Sequence, residues 1–119
     1  MRSLEHILAV PGTAFILLLV AAIMEVLGDA FFQSALHRSS GLWRCAFLAA
    51  GGGTLCLYGL VVNLPRWDFG KLLGVYVVFF FVIAQIVAKL RFNQSTTLPT
   101  LVGGFMIVAG GAVISFWKG

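Results

Sequence analysis

Four long apolar stretches alternate with short polar segments along this chain. The polar segments are HRSSG at 37–41, the neighbourhood of Pro65 and Arg66, and KLRFNQSTT at 89–97. A helix needs about 20 mainly apolar residues to cross a bilayer. The pattern therefore predicts four transmembrane helices joined by three short loops, at about residues 13–34, 43–64, 69–88 and 98–117.

Composition agrees with this pattern and narrows the class of protein. Of the 119 residues, 61% are hydrophobic and only 10% are charged, whereas about 25% of a typical soluble domain is charged. The chain is predicted to be an all-α integral membrane protein with a single four-helix domain over residues 1–119. Its length leaves no room for a separate soluble catalytic or nucleotide-binding domain.

The net charge of +4 does not change that class. A basic chain can bind nucleic acid, but these cations flank apolar spans, where they are typical anchors for anionic lipid head groups. Trp43, Trp67 and Trp117 fall at predicted span ends, as interfacial tryptophans do. We expect membrane lipids, and no nucleic acid, among the partners.

A cleavable signal peptide is the competing interpretation of the first span. Arg2 supplies a basic start, and residues 7–24 supply an apolar core. A cleavage site of the small-x-small type is missing at the usual distance before Glu25, which favours a retained helix.

The distribution of cations predicts the orientation of the chain in the membrane. With four spans, the side of the N-terminus carries four cations, namely Arg2, Arg66, Lys71 and Lys118. The opposite side carries the other four, namely Arg38, Arg44, Lys89 and Arg91. Because positive loops favour the cytoplasmic side, equal counts favour neither orientation. The chain is predicted to insert both ways and to form an antiparallel, dual-topology homodimer. The alternatives are a partner protein that fixes one orientation, or an unequal count of loop cations because Lys71 lies inside the third span.

Glycine pairs on the fourth span indicate close helix packing. Gly103 and Gly110 are seven residues apart, as are Gly104 and Gly111, so two helical turns bring each pair to one face. Small residues let helix backbones approach closely inside a membrane. The stripe predicts a subunit interface on this span, or packing against the first or third span of the same chain. The triplet Gly51-Gly52-Gly53 has the same two interpretations.

Two acids interrupt the first span in the segment AAIMEVLGDAFF, residues 21–32. With about 1.5 Å of rise per residue, Glu25 lies about 4 Å and Asp29 about 10 Å beyond the midplane of the span. Being four residues apart, they share a helical face with Gly28 and Gln33. A charge at the centre of a spanning helix costs about 2.5–3.5 kcal/mol on insertion scales. We therefore expect Glu25 to exchange a proton for a cationic substrate.

Structural roles for the same two acids stay open at this point. Glu25 in its neutral form can hydrogen-bond to another helix. Asp29 lies nearer the membrane surface, and it can either reach water or pair with Lys71 at the start of the third span.

The segment MEVLGDAFFQSALHRSSGLW, residues 24–43, resembles the first helix and loop of the small multidrug resistance transporters, part of the drug/metabolite transporter superfamily. In that family an Ala-Glu-Val-Ile-Gly-like motif carries an essential membrane-embedded glutamate, and a Leu-Trp pair opens the second helix. Glu25, Gly28 and Leu42-Trp43 take these places.

The resemblance extends along the chain. Leu64-Pro65 looks like the family's short second loop, and GGFMIVAGGAVI, residues 103–114, is similar to its glycine-rich fourth helix. It implies an antiparallel homodimer of four-helix subunits, a multi-pass protein of the bacterial inner (plasma) membrane. It also implies an antiporter that exports small cationic or amphipathic compounds, with protons and substrate competing for the two copies of Glu25.

The third span departs from the family's pattern. Members that export drugs carry a Tyr-Ala-x-Trp-type segment there, whose rings contact aromatic cations. Here the region reads FGKLLGVYVV, residues 69–78, with Tyr76 as the candidate ring and Gly74 as the candidate bend. Lys71 adds a cation that disfavours cationic substrates, unless it snorkels to the surface or neutralises Asp29. Asp29 is not a usual feature of the family at its position.

A proton-coupled exporter of small cations is the leading hypothesis. In it, Glu25 is the shared proton and substrate site, Asp29 and Tyr76 contribute to binding, and Gln85 and Lys71 are candidates for the substrate route.

Two other functions remain open from the sequence. In a lipid-linked head-group flippase of the same superfamily, Lys71, Lys89 and Arg91 would contact phosphate. The third hypothesis is a non-transporting subunit that assembles with a different protein. Because no nucleophile–base pair, metal-ligand cluster or cofactor motif is found, we expect neither an enzyme nor a bound metal or cofactor.

Overall fold

The computed structural model describes residues 11–117 and shows four long helices. They are α1 (Pro11–His37), α2 (Gly41–Val62), α3 (Phe69–Phe92) and α4 (Leu98–Phe116). Each is long and apolar enough to cross a membrane, and the described part of the chain contains no strand. The predicted all-α, four-span fold is confirmed. Arg2 and Lys118, which entered the charge count, lie outside the described residues.

The first loop is short because polar groups close the end of α1. Ser39 Oγ donates hydrogen bonds to the carbonyl oxygens of Ser34 (2.9 Å) and Ala35 (3.2 Å). Arg44, from the first turns of α2, donates from Nε to the Ala35 oxygen at 2.9 Å. These donors satisfy carbonyls that a helix end leaves unpaired, and the guanidinium charge complements the helix dipole.

Helix α3 continues four residues beyond the end that the sequence predicts. Lys89 and Arg91 lie in its last turn, where cations are favourable, so these polar residues do not break it. Asn93 ends the helix in a left-handed conformation (φ 53°), and its N–H donates to the carbonyl oxygens of Ala88 and Lys89.

The four helices form a thin row in the order α2, α1, α3, α4. Helix α1 packs against α2 on one side and α3 on the other, while α4 packs against α3. The molecule measures 50 × 42 × 20 Å, and its smallest dimension is about two helix diameters. One face of α1 is covered by neither α2 nor α3. This face forms the floor of a groove between these two helices.

Glycines set two of the helix contacts. A Cβ atom at Gly51 of α2 would lie 3.0 Å from the backbone oxygen of Gly28 in α1, so the two helices touch through their backbones here. On α4, a Cβ atom at Gly104 would meet the Phe81 ring and one at Gly111 would meet Val78, both on α3. These three glycines hold helices of the same chain together.

The remaining predicted small-residue positions are open. A Cβ atom at Gly103, Gly110, Gly52 or Gly53 would have no neighbour within 4 Å. On α4, the pair Gly104 and Gly111 therefore packs within the chain. The pair Gly103 and Gly110 remains available for contact with another subunit.

Helices α1 and α3 run in the same direction. Hydrogen bonds between them advance together in residue number, from Glu25 with Tyr76 to Ser34 with Arg91, and Phe15 near the start of α1 contacts Trp67 just before α3. This register decides which charged groups can meet.

Candidate functional site

Glu25 lies in the middle of α1, at the groove between α2 and α3. Its side chain is partly buried, and its Oε2 accepts a hydrogen bond of 2.9 Å from the Tyr76 hydroxyl of α3. That hydroxyl also lies 3.4 Å from the backbone oxygen of Ala21. Tyr76 itself is 4% exposed, so its ring position is fixed by packing. The sequence-predicted residues Glu25 and Tyr76 therefore form one site.

An aromatic row surrounds this carboxylate. The Tyr58 ring of α2 lies 5.7 Å from the Tyr76 ring, and the Phe80 ring lies 6.3 Å from Tyr76 on its other side. The Tyr58 side chain also interacts electrostatically with Glu25. Three helices, α1, α2 and α3, thus contribute residues to the site.

The groove is closed on the side of the second loop. A core of buried residues packs there, beneath Glu25, and includes Leu18, Val62 and Leu72. The Trp67 ring covers it and makes an edge-to-face contact with Phe15 at 5.5 Å. Access to Glu25 along a single chain is therefore blocked from this side by packed apolar side chains.

The opposite side contains a cavity between α1 and α3. It has a volume of about 320 Å³ and is lined by Asp29, Gln33, Phe80, Phe92 and Gln94, with small apolar residues between them. Asp29 is exposed to it and interacts electrostatically with Glu25 one helical turn away. The predicted shared face of Glu25, Asp29 and Gln33 is thus present, and it leads from the carboxylate to this cavity.

Lys71 lies far from both acids. Its ammonium group sits 4.8 Å from the centre of the Trp67 ring, at the closed end of the groove. Asp29 lines the cavity together with Phe80. Phe80 lies nine residues beyond Lys71 on α3, or about 14 Å of helix rise. The Asp29–Lys71 pair that the sequence left open does not form, because parallel helices place the start of α3 beside the start of α1.

Gln85 also lies away from the carboxylate. It is nine residues after Tyr76, which places it on the opposite face of α3. Its side-chain oxygen accepts a hydrogen bond of 3.3 Å from the Thr96 hydroxyl, in the loop before α4. The structure therefore does not bring Gln85 into the groove as a route residue.

The cations that a lipid phosphate would need are divided between the two ends. Arg91 donates from Nη2 to the Ser34 hydroxyl at 2.9 Å, at the end of the helices opposite to Lys71. Arg38 and Arg91 lie 4.8 and 5.5 Å from the centre of the Phe92 ring. A phosphate group cannot contact Lys71 together with Lys89 and Arg91, so the flippase hypothesis loses its three-cation site.

Several site residues were missed by the sequence reasoning. Tyr58 lies on the predicted second span without a polar neighbour in sequence, and Phe80 is one of three consecutive phenylalanines. Phe92 and Gln94 fell in a segment that was expected to be a loop. Helical spacing could have found Phe80, which is one turn beyond Tyr76. Among residues 11–117, no group of three His, Cys, Asp or Glu could hold a metal ion.

Fold and site together define a multi-pass, four-helix membrane protein with a carboxylate inside one span. Among curated proteins, the chain is similar to a UPF0060 membrane protein from Herpetosiphon aurantiacus. The two are 27% identical over 106 residues, which cover 87% of this chain and 94% of that protein. No family model matches the chain, and no solved structure matches it significantly. The similarity agrees with a small membrane protein of about this length.

Proposed function

We propose that this protein is a proton-coupled transporter that exports small cationic or amphipathic compounds. The observation that carries the proposal is the placement of Glu25: a partly buried carboxylate in the middle of a spanning helix, hydrogen-bonded by Tyr76 and facing a groove. Acids in such positions are rare in spanning helices and generally serve transport or proton transfer.

Energetics supports exchange at this residue. An ionised carboxylate at the centre of a span costs about 2.5–3.5 kcal/mol on insertion scales. One tyrosine hydroxyl offsets part of that cost. A proton or a bound cation can neutralise the remaining charge, but both cannot occupy the carboxylate at once. Competition of this kind couples proton entry to substrate exit.

An antiparallel homodimer completes the proposed transporter. A second copy packed over the groove between α2 and α3 would shield Glu25 from lipid. The outward pair Gly103 and Gly110 on α4 gives that copy a place for close packing. In opposite orientations, the two closed ends would lie on opposite sides of the bacterial inner membrane, which fits alternating access.

Transport of a fluorescent organic cation into proteoliposomes with an imposed pH gradient tests this function. Glu25→Gln removes the ionisable group with little change in size, and we expect it to abolish proton-driven uptake while the protein stays folded. Glu25→Asp keeps the charge and should retain coupling at a reduced rate.

Asp68→Asn is the matched control, because Asp68 is an exposed acid at the start of α3, outside the groove. It should transport like the wild-type protein. Proton-driven uptake that persists in Glu25→Gln would refute the proposal.

A further inference from the structure

The cavity beside Asp29 has the composition of a ligand site rather than of a packing defect. Its volume of about 320 Å³ lies at the lower end of the range of about 300–1,000 Å³ for small-molecule sites. Two glutamines, Gln33 and Gln94, place amide groups in its wall, and Phe80 and Phe92 supply aromatic surface. An apolar defect between helices would have none of these polar groups.

Asp29 determines the sign of the charge that this cavity accepts. Among the described residues that line the cavity, Asp29 is the one with an ionisable side chain. No described basic side chain forms an ion pair with it. Lys71, the candidate partner, is held at Trp67 at the other end of α3. The carboxylate favours a cation, and the Phe80 ring with the small apolar residues of the wall favours a ligand with an aromatic or apolar body.

The opposite end of the cavity has the reverse electrostatic character. The guanidinium groups of Arg38 and Arg91 lie 4.8 and 5.5 Å from the centre of the Phe92 ring, and Arg91 donates a hydrogen bond to the Ser34 hydroxyl. Ser34 is five residues beyond Asp29, or about 7–8 Å of helix rise. A second positive charge at this end would be repelled, so a ligand must be oriented with its single charge toward Asp29.

The cavity also lies next to the carboxylate site. Phe80 is shared: it lines the cavity and its ring contacts Tyr76, which binds Glu25. Asp29 and Glu25 are one turn apart on the same face of α1. A cation released by Asp29 is therefore about 6 Å of helix rise from Glu25, on the side of Glu25 away from the packed core at Trp67.

We propose that this cavity is a second binding site, at which Asp29 captures singly charged aromatic cations before their transfer to Glu25, and that Arg38 and Arg91 exclude dications. The transfer to Glu25 rests on the proposed transport function. Binding in the cavity does not, because it depends on Asp29 and the rings alone.

Two probes that differ by one charge test the proposal. Benzyltrimethylammonium is an aromatic monocation, and para-xylylene-bis(trimethylammonium) carries a second charge on the far side of the same ring. Isothermal titration of the purified full-length protein should show binding of the monocation and at least tenfold weaker binding of the dication. Equal affinities for the two probes would overturn the exclusion of dications.

Three variants locate the binding. Asp29→Asn should weaken binding of the monocation by roughly tenfold, since it removes the charged partner at constant size. Glu25→Gln should retain the Asp29-dependent binding, and Asp68→Asn should behave like the wild-type protein. Unchanged affinity in Asp29→Asn would overturn the proposal even if proton-driven transport is present.

Arg38→Gln tests the selectivity independently. Arg38 is exposed, and its guanidinium group lies against the Phe92 ring rather than in the lining of the cavity, so the fold should tolerate its replacement. The variant should reduce the affinity difference between the two probes without weakening monocation binding. If instead Asp29-dependent binding is observed while Glu25→Gln transports normally, the second site stands and the proposed transport function fails.

Discussion

The hydroxyl group of Tyr76 donates a 2.9 Å hydrogen bond to the Glu25 carboxylate, joining α3 to the middle of α1. The Tyr76 ring is held between Tyr58 and Phe80 and is almost fully buried. The hydroxyl therefore has little freedom to follow the carboxylate, and the two helices must keep their register for the bond to persist.

Tyr76→Phe should impair transport without unfolding the protein. It removes a hydrogen bond to a charged group, worth about 1.5–3 kcal/mol, while leaving the ring in place. We expect the rate of proton-driven cation uptake to fall about tenfold or more if the hydroxyl orients the carboxylate. Tyr76→Phe should lower the thermal unfolding temperature in detergent by less than Tyr76→Leu, which removes the packing of the ring as well as the hydrogen bond. Wild-type transport by Tyr76→Phe would show that the bond has no role in the cycle.

Gly51→Ala should separate α1 from α2. The new methyl carbon would lie 3.0 Å from the backbone oxygen of Gly28, and a backbone atom cannot rotate away as a side chain can. Overpacking of this kind destabilises by about 1–3 kcal/mol. The control is Gly52→Ala, where a Cβ atom has no neighbour within 4 Å and the change should stay within about 0.5 kcal/mol. Equal stabilities of the two variants, measured by denaturant titration in detergent, would contradict the backbone contact.

The two glycine pairs of α4 should respond differently to substitution. Gly111→Ala places a methyl group against Val78, a β-branched side chain with few alternative rotamers, so it should loosen α4 from α3 and lower the unfolding temperature. Gly110→Ala should leave that packing intact. Gly110→Leu adds bulk to the outward face, and we expect it to weaken a dimer in crosslinking experiments without destabilising the monomer. A dimer unaffected by Gly110→Leu would exclude this face as the subunit contact.

Labelling of single cysteines should detect both orientations in the native membrane. Because Cys45 and Cys56 are exposed, the experiment requires a Cys45→Ser, Cys56→Ser background. A membrane-impermeant thiol reagent should then modify Ser40→Cys in the first loop and Leu64→Cys in the second to about equal extents from either side. One-sided labelling would remove the basis for the antiparallel homodimer and would favour a subunit that assembles with a different protein.

The four-helix fold could be predicted from the sequence alone, because the length of each apolar stretch is the dominant signal for a membrane-spanning helix. It also made Glu25 the first candidate for a site, since an acid deep in an apolar run is conspicuous, and the family resemblance pointed to Tyr76, which hydrogen-bonds to Glu25 in the structure. Neither inference required knowledge of how the helices pack.

Helix packing places the residues whose surroundings the sequence left open. An Asp29–Lys71 pair is incompatible with first and third spans that run in the same direction. The predicted four-span topology already implies that shared direction. Gln85 was chosen by residue type, and its position on the opposite face of α3 follows only from its distance in sequence to Tyr76. The α4 glycine pairs have identical spacing, so nothing in the pattern could show that Gly104 and Gly111 meet Phe81 and Val78.

The closed end at Trp67 and the Asp29 cavity at the other end give each chain a single mouth. In an antiparallel pair, one mouth would open to each compartment. A membrane-impermeant blocker of the cavity, added to only one compartment, would therefore saturate at one molecule per two chains. This stoichiometry would directly give the number of cavities per dimer that open to that compartment.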